Sequence, residues 1–156
     1  MERDKEFNTL FHAMQSFCDY RERCESEVIT KFKSLSDNED MMLKVLDELK
    51  EFGFYDDERY LEAFIRGKHQ IKKWGRMKIR IALLQKKIDP IMIDRAMDEY
   101  FSEEAYEAQI EELFIKKWGQ LGKSTNVASK QKIYRYLYSK GYESPKIYSL
   151  FNKYFS

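Results

Sequence analysis

Lys72, Lys73, Arg76, Lys78 and Arg80 place five cations within nine residues, with no acid among them and Trp74 in their midst. Such a composition suits recognition rather than catalysis. The cations hold phosphate or an acidic protein surface, and the indole offers a flat face on which a base or a partner side chain stacks. The motif nearly recurs: Lys72-Lys73-Trp74-Gly75-Arg76 is followed 44 residues later by Lys116-Lys117-Trp118-Gly119-Gln120. Each copy follows an isoleucine, and the two hold the only tryptophans of the chain. The competing reading of each tryptophan is a plug at the junction between structural units, which the repetition itself favours. Further cations lie at Lys123, Lys130, Lys132 and Arg135. These four, the five of the central cluster, Trp74, Lys116 and Lys117 form the candidate partner-binding set.

Nothing else in the chain suggests chemistry. Asp56 and Asp57 resemble a paired-carboxylate site, but adjacent acids at a helix start ordinarily act as caps and dipole partners. His12 and His69 lack companions at ligand spacing, so no metal is expected. No glycine-rich phosphate loop, Ser/His/Asp set or Cys/His pair stands out. The expectation is a non-enzyme without cofactors.

The 156 residues suffice for about one domain. Few glycines, two prolines and 35% charged residues point to a mainly helical protein. Eleven Tyr and eleven Phe fit large rings filling gaps between short helices. No apolar run is long enough to span a membrane, and the charged N-terminus has no signal-like core, so a cytoplasmic location is expected. Cys18 and Cys24 are expected to be reduced thiols on different faces if one helix carries both. The net charge of +1 conceals alternation: −1 over residues 1–36, −6 over 37–57, +8 over 58–87, −8 over 88–114 and +8 over 115–156. Alternating blocks of this size favour a surface that meets a charge-patterned partner.

Helical periodicity supplies the elements that position these groups. The first helix covers residues 7–20, Ser26 opens a second, and Asp37 or Asn38 caps a third that ends before Gly53. Asp56-Asp57 opens a fourth, and Gly75 breaks the chain before a fifth over about 76–87. Asp89-Pro90 opens a sixth. The same order follows over about 102–118, 127–140 and from Ser144-Pro145 onward. Leu83, Gln85, Lys86 and Ile88 align with Leu137, Ser139, Lys140 and Tyr142 at an offset of 54, which assigns ten extra residues to the polar loop around 121–126. Two apolar stripes on the fifth helix, Met77-Ile81-Leu84-Ile88 and Ile79-Leu83, predict packing on two sides, as when units stack. The expected fold is all-α: an elongated, curved stack of three tandem three-helix repeats in one domain over residues 1–156. The repeats fall at about 7–53, 54–101 and 102–156.

The sequence also resembles the RecX family of recombination regulators. The likeness is strongest at Asp56-Asp57-Glu58-Arg59-Tyr60, Ala63-Phe64-Ile65-Arg66, Lys68, Trp74-Gly75-Arg76-Met77-Lys78-Ile79-Arg80, Leu83 and Lys86-Lys87-Ile88. Weaker matches are Cys24-Glu25-Ser26-Glu27-Val28 with Lys31-Phe32, and Leu137, Lys140, Gly141 and Tyr142. Lys87 stands where the family usually has Gly, and Leu61 where it usually has Ala. The resemblance implies a three-helix unit used three times. It further implies a non-enzymatic regulator that binds the RecA recombinase filament and restrains its ATPase, strand-exchange and co-protease activities in recombination and repair. The alternative is a helical module that competes for single-stranded DNA. The chain is expected to be monomeric and off the membrane, and on the RecA reading to bind single- or double-stranded DNA weakly.

Overall fold

The computed structural model describes residues 2–155, with side chains from Lys5 onward. The described residues form nine α-helices and no strand: α1 Glu2–Tyr20, α2 Glu25–Leu35, α3 Glu39–Glu51, α4 Asp57–Gln70, α5 Arg76–Gln85, α6 Pro90–Tyr100, α7 Glu103–Gln120, α8 Val127–Ser139 and α9 Ser144–Phe155. Most starts follow from local capping chemistry. Asn38 accepts from the Met41 amide at 3.0 Å, Asp56 from Glu58 and Arg59, Asp89 from Ile91, Ser102 from Ala105 and Asn126 from Ser129. Asn38 rather than Asp37 therefore caps α3. Pro90 occupies the first turn of α6, where its missing N–H costs nothing.

Two starts differ from the sequence expectation. Cys24, not Ser26, caps α2, and the Glu27 carboxylate returns to the Cys24 amide at 3.2 Å. Ser26 is the second residue of the helix and bonds across to the second unit. Asp57 follows the α4 cap but turns its carboxylate back to the Glu25 amide at 2.9 Å, so it satisfies the start of α2 instead. The cysteines fall on separate elements, Cys18 within α1 and Cys24 ahead of α2, and both thiols are free and buried. Burial raises the Cys18 thiol to about 11 and the Cys24 thiol in the same direction, so neither is a ready nucleophile.

The core divides into three clusters, one per triad of helices, except that Cys24 at the start of α2 is buried in the second. Each first helix lends it a ladder at i, i+4, i+8: Leu10-Met14-Cys18, Leu61-Ile65-His69 and Tyr106-Ile110-Phe114. Each second helix adds a pair at i, i+4: Val28-Phe32, Ile79-Leu83 and Ile133-Leu137. Leu83 and Ile88 are buried at the positions where Leu137 and Tyr142 are buried, as the sequence alignment predicts.

Three expectations require correction. The helix pairs in closest contact lie within triads: α5 packs along α4 and α6 and meets the third unit only through its first turn. The stripe Met77-Ile81-Leu84-Ile88 is therefore not buried between units: Leu84 and Ile88 pack on the core of their own unit, and the rest lies largely open. Ile79 and Leu83 are fully buried, whereas Met77 is 37% and Ile81 56% exposed and Leu84 is half-buried. The extra residues of the third unit lie mainly in its helices, not in the loop at 121–126. Helix α7 has 18 residues against 14 in α4, and α8 has 13 against 10 in α5. Finally, the two copies of the pentapeptide are not structural equivalents. Residues 72–75 form the α4–α5 loop, while 116–120 are the last turns of α7.

Candidate partner-binding face

Helix α4 ends at Ile71, and the chain turns through Lys73, whose φ of 60° lies in the left-handed region. This turn presents two carbonyls to the third unit. The Lys72 carbonyl accepts from Lys140 Nζ at 2.9 Å, and the Lys73 carbonyl accepts from the buried Tyr142 hydroxyl at 2.8 Å. The backbone then joins directly: the Gly75 amide donates to the Lys140 carbonyl at 2.7 Å and the Met77 amide to the Gly141 carbonyl at 3.0 Å. A Cβ on Gly75 would lie 2.4 Å from the Gly141 oxygen, and one on Gly141 would lie 2.5 Å from Lys78 Cβ. Both positions require glycine, and Gly141 also takes a φ of +100°.

Beneath this seam, His69 is buried against the Phe101 ring at 4.7 Å and stacks on Tyr106. Its Nδ1 donates to the Trp74 carbonyl at 2.9 Å, which assigns the tautomer. Burial lowers its pKa; the Trp74 bond opposes this, and Lys73 and Arg76 reinforce it, so the ring is neutral. Arg76 closes the seam from above. Its guanidinium lies 3.9 Å over the Tyr106 ring and pairs with Glu103 and Glu143, while its amide donates to the Tyr106 hydroxyl at 3.1 Å. The Tyr106 hydroxyl in turn donates to Glu143.

The seam collects lysines. Lys68 and Lys78 sit 4.9 and 4.5 Å over the Trp74 ring, and Lys117 and Lys140 sit 5.0 and 5.6 Å over Tyr136. Burial lowers the pKa of Lys140, and Lys78, Lys116 and Lys73 lower it further, which places four ammonium groups within electrostatic reach of one another. Among the described residues no carboxylate pairs with Lys68, Lys72, Lys73, Lys78, Lys116, Lys117 or Lys140. An uncompensated lysine field backed by two rings is an anion-attracting face.

Of the candidates taken from the sequence, Lys73, Trp74, Lys78, Lys116 and Lys117 meet on this face, and Lys72 lends the seam its carbonyl. Arg76 and Arg80 do not contribute free charge: Arg76 closes the seam, and Arg80 binds Asp94 at 2.8 and 3.3 Å. Lys123 lies over Trp118, and Lys130 lies over Phe155. Lys132 and Arg135 are exposed on α8. Lys140, Lys68 and Tyr136 escaped the sequence reading. The absence of any acid but Glu143 from residue 115 onward was the available signal for Lys140. Trp118 packs inside the third unit against Phe155 and Tyr154 and donates to the Ser124 carbonyl, so it fills that unit's own core rather than a junction between units. Among the described residues no cluster of His, Cys, Asp and Glu has the arrangement of a metal site, and no helix is long and apolar enough to cross a membrane.

Tandem three-helix units joined through loops define an all-α helical-repeat protein. Two family models match it unit by unit: the second three-helix domain of RecX over residues 56–97 and the third over residues 104–151. The regulatory protein RecX of Chlorobium phaeobacteroides is 30% identical over 127 residues, covering 81% of each chain. That of Clostridium acetobutylicum is 30% identical over 144 residues, covering 90% of this chain and 66% of the relative. That of Halalkalibacterium halodurans is 33% identical over 152 residues, covering 94% and 53%. The crystal structure of RecX from Lactobacillus salivarius superposes with a TM-score of 0.85 at 21% identity, over 96% of this chain and 97% of that one. The chain belongs to the RecX family. It spans between about half and two thirds of the length of the clostridial and Halalkalibacterium relatives.

Proposed function

We propose that this chain is a cytoplasmic, non-enzymatic regulator that binds the RecA recombinase filament and restrains its ATPase and strand-exchange activities. The reading is carried by one observation: both units matched by the family models contribute lysines to a single face with no carboxylate against it. A face of that kind docks on an acidic protein surface, and several weak patches along a tandem array add through multivalency. The acidic stretches at 37–57 and 88–114 flank the cluster in sequence and suit basic regions of the same protein partner. The test is ATP hydrolysis by RecA already assembled on single-stranded DNA. Equimolar protein slows turnover, and Lys78→Gln with Lys116→Gln relieves the inhibition while the helical spectrum is retained. Unchanged RecA turnover at micromolar protein refutes the reading.

The second reading, competition for single-stranded DNA, is favoured by the pairing of Trp74 with unneutralised lysines. It requires inhibition to vanish when DNA is saturating, whereas filament binding requires inhibition to persist.

A further inference from the structure

Helices α8 and α9 carry a second aromatic surface, set on the opposite flank of α8 from Tyr136. Tyr134 and Tyr138 stack at 5.6 Å with planes 10° apart, and Tyr148 of α9 lies on Tyr134 at 5.5 Å and 30°. The hydroxyl of Tyr134 meets Ser144 Oγ at 2.6 Å, which fixes the central ring. The outer rings are open: Tyr138 is 48% and Tyr148 53% exposed. Beside them runs a groove of about 470 Å³ bounded by Val127, Lys130, Arg135 and Phe151. Neither α8 nor α9 contains an Asp or Glu, and among the described residues no carboxylate pairs with Lys130 or Arg135. The one acid nearby in sequence, Glu143, is held by Arg76 and Tyr106.

Two stacked rings and a third tilted against them, with the outer two exposed, flanked by unneutralised cations and no acid, combine the two requirements of single-strand recognition. The exposed rings offer π faces on which bases can stack, and the cations attract phosphate. An acidic peptide would use the cations but has no need of a ladder of flat faces. A duplex keeps its bases stacked inside and would also leave the rings unused. We propose that the α8–α9 face is a platform for single-stranded nucleic acid, with bases stacked on Tyr138 and Tyr148 and phosphates held by Lys130 and Arg135. The inference does not rest on RecA binding, and its test contains no RecA.

The probe is a fluorescently labelled oligothymidylate, titrated with the full chain at low salt and followed by anisotropy. Tyr138→Ala with Tyr148→Ala, both exposed and expected to leave the helical spectrum intact, weakens binding by at least about fivefold per ring, the lower bound of one base–aromatic stack. Phe at both positions restores it, because the hydroxyls are not needed. Lys130→Gln with Arg135→Gln makes the slope of log K against log salt less negative by about 1.4, from roughly 0.7 per single-strand phosphate. A blunt duplex binds no more weakly to the Ala variant than to the parent. The proposal is overturned if the oligonucleotide fails to bind at micromolar protein. It is equally overturned if the Ala variant binds as the parent does, for then phosphate attraction alone is at work. Loss of binding on Lys78→Gln and Lys116→Gln, with no effect of the tyrosine changes, would move the strand to the other face.

Discussion

Between the first and second units the contacts run from side chains to helix ends, whereas between the second and third the backbones themselves are bonded. At the first seam Ser26 donates to the Lys86 carbonyl at 2.6 Å, Asp57 holds the Glu25 amide, and Arg59 reaches Glu22 at 3.2 Å. Glu27 gathers Arg21 and Lys86 there. Burial works against its charge, but hydrogen bonds from Arg21 and the Cys24 amide prevail and hold its pKa below the ordinary value. At the second seam two amide–carbonyl bonds pass between loops, two glycines admit the approach, and a neutral histidine lies underneath. Side-chain contacts tolerate small displacements of one unit against the other; bonded backbone without room for a Cβ does not. The second and third units should therefore behave as one body, with the first more loosely attached.

The largest test of this contrast is Gly75→Ala, whose Cβ must displace the Gly141 carbonyl. A loss of about 3 kcal/mol is expected from overpacking, measured by urea unfolding, and the helices of α4–α9 should report it together. A loss below about 0.5 kcal/mol would mean that the seam yields and the contrast fails. Next is the pair Leu83→Ala and Leu84→Ala. The first empties a fully buried site and should cost roughly 2–5 kcal/mol; the second, half-buried, should cost clearly less. Equal losses would restore packing of α5 on both sides. At the first seam, Ser26→Ala removes one bond and should cost about 1 kcal/mol, with exchange rising only at the α2 amides.

Acid separates the seams by sign and window. The pKa of His69 is lowered on folding, so its contribution is present above the ordinary value of 6.5 and is lost as pH falls through the lower folded value. Glu27 is also lowered, so the first seam keeps its contribution above 4.5 and loses it only as pH falls through a value lower still. Hydrogen exchange at pH 5.5 should therefore quicken at the Gly75 and Met77 amides while the Cys24 amide stays protected. The opposite order would contradict the assignment of a neutral His69. The smallest expected effect is Lys87→Gly. Lys87 holds a φ of 60°, so glycine should raise stability by about 0.5 kcal/mol, visible as a slightly higher Tm.

Features set by neighbours in the chain were legible. Asn38, Asp56, Asp89 and Pro90 declare helix starts through chemistry that spans three residues, and Leu83 and Leu137 declare their register through periodicity alone. Even Lys87, where the family usually has glycine, marked a left-handed position. The face was only half legible. Lysines beside Trp74 are visible as a run, but whether a cation stays free depends on acids far along the chain: Glu103 and Glu143 neutralise Arg76, and Asp94 neutralises Arg80. The repeated pentapeptide misleads for a related reason. Identical letters adopt a loop where α4 ends and a helix where α7 continues, and helix length is decided by packing against the rest of the unit.

The contact between Gly75 and Gly141 bears on how such arrays evolve. Repeat proteins commonly change by duplicating or deleting whole units, since each carries its own core. Here the lysine face is owned by neither unit, and a copy inserted between α6 and α7 would pull Lys73 and Lys78 away from Lys116 and Lys140. Growth of the array is thus permitted at its ends and forbidden at this one internal boundary.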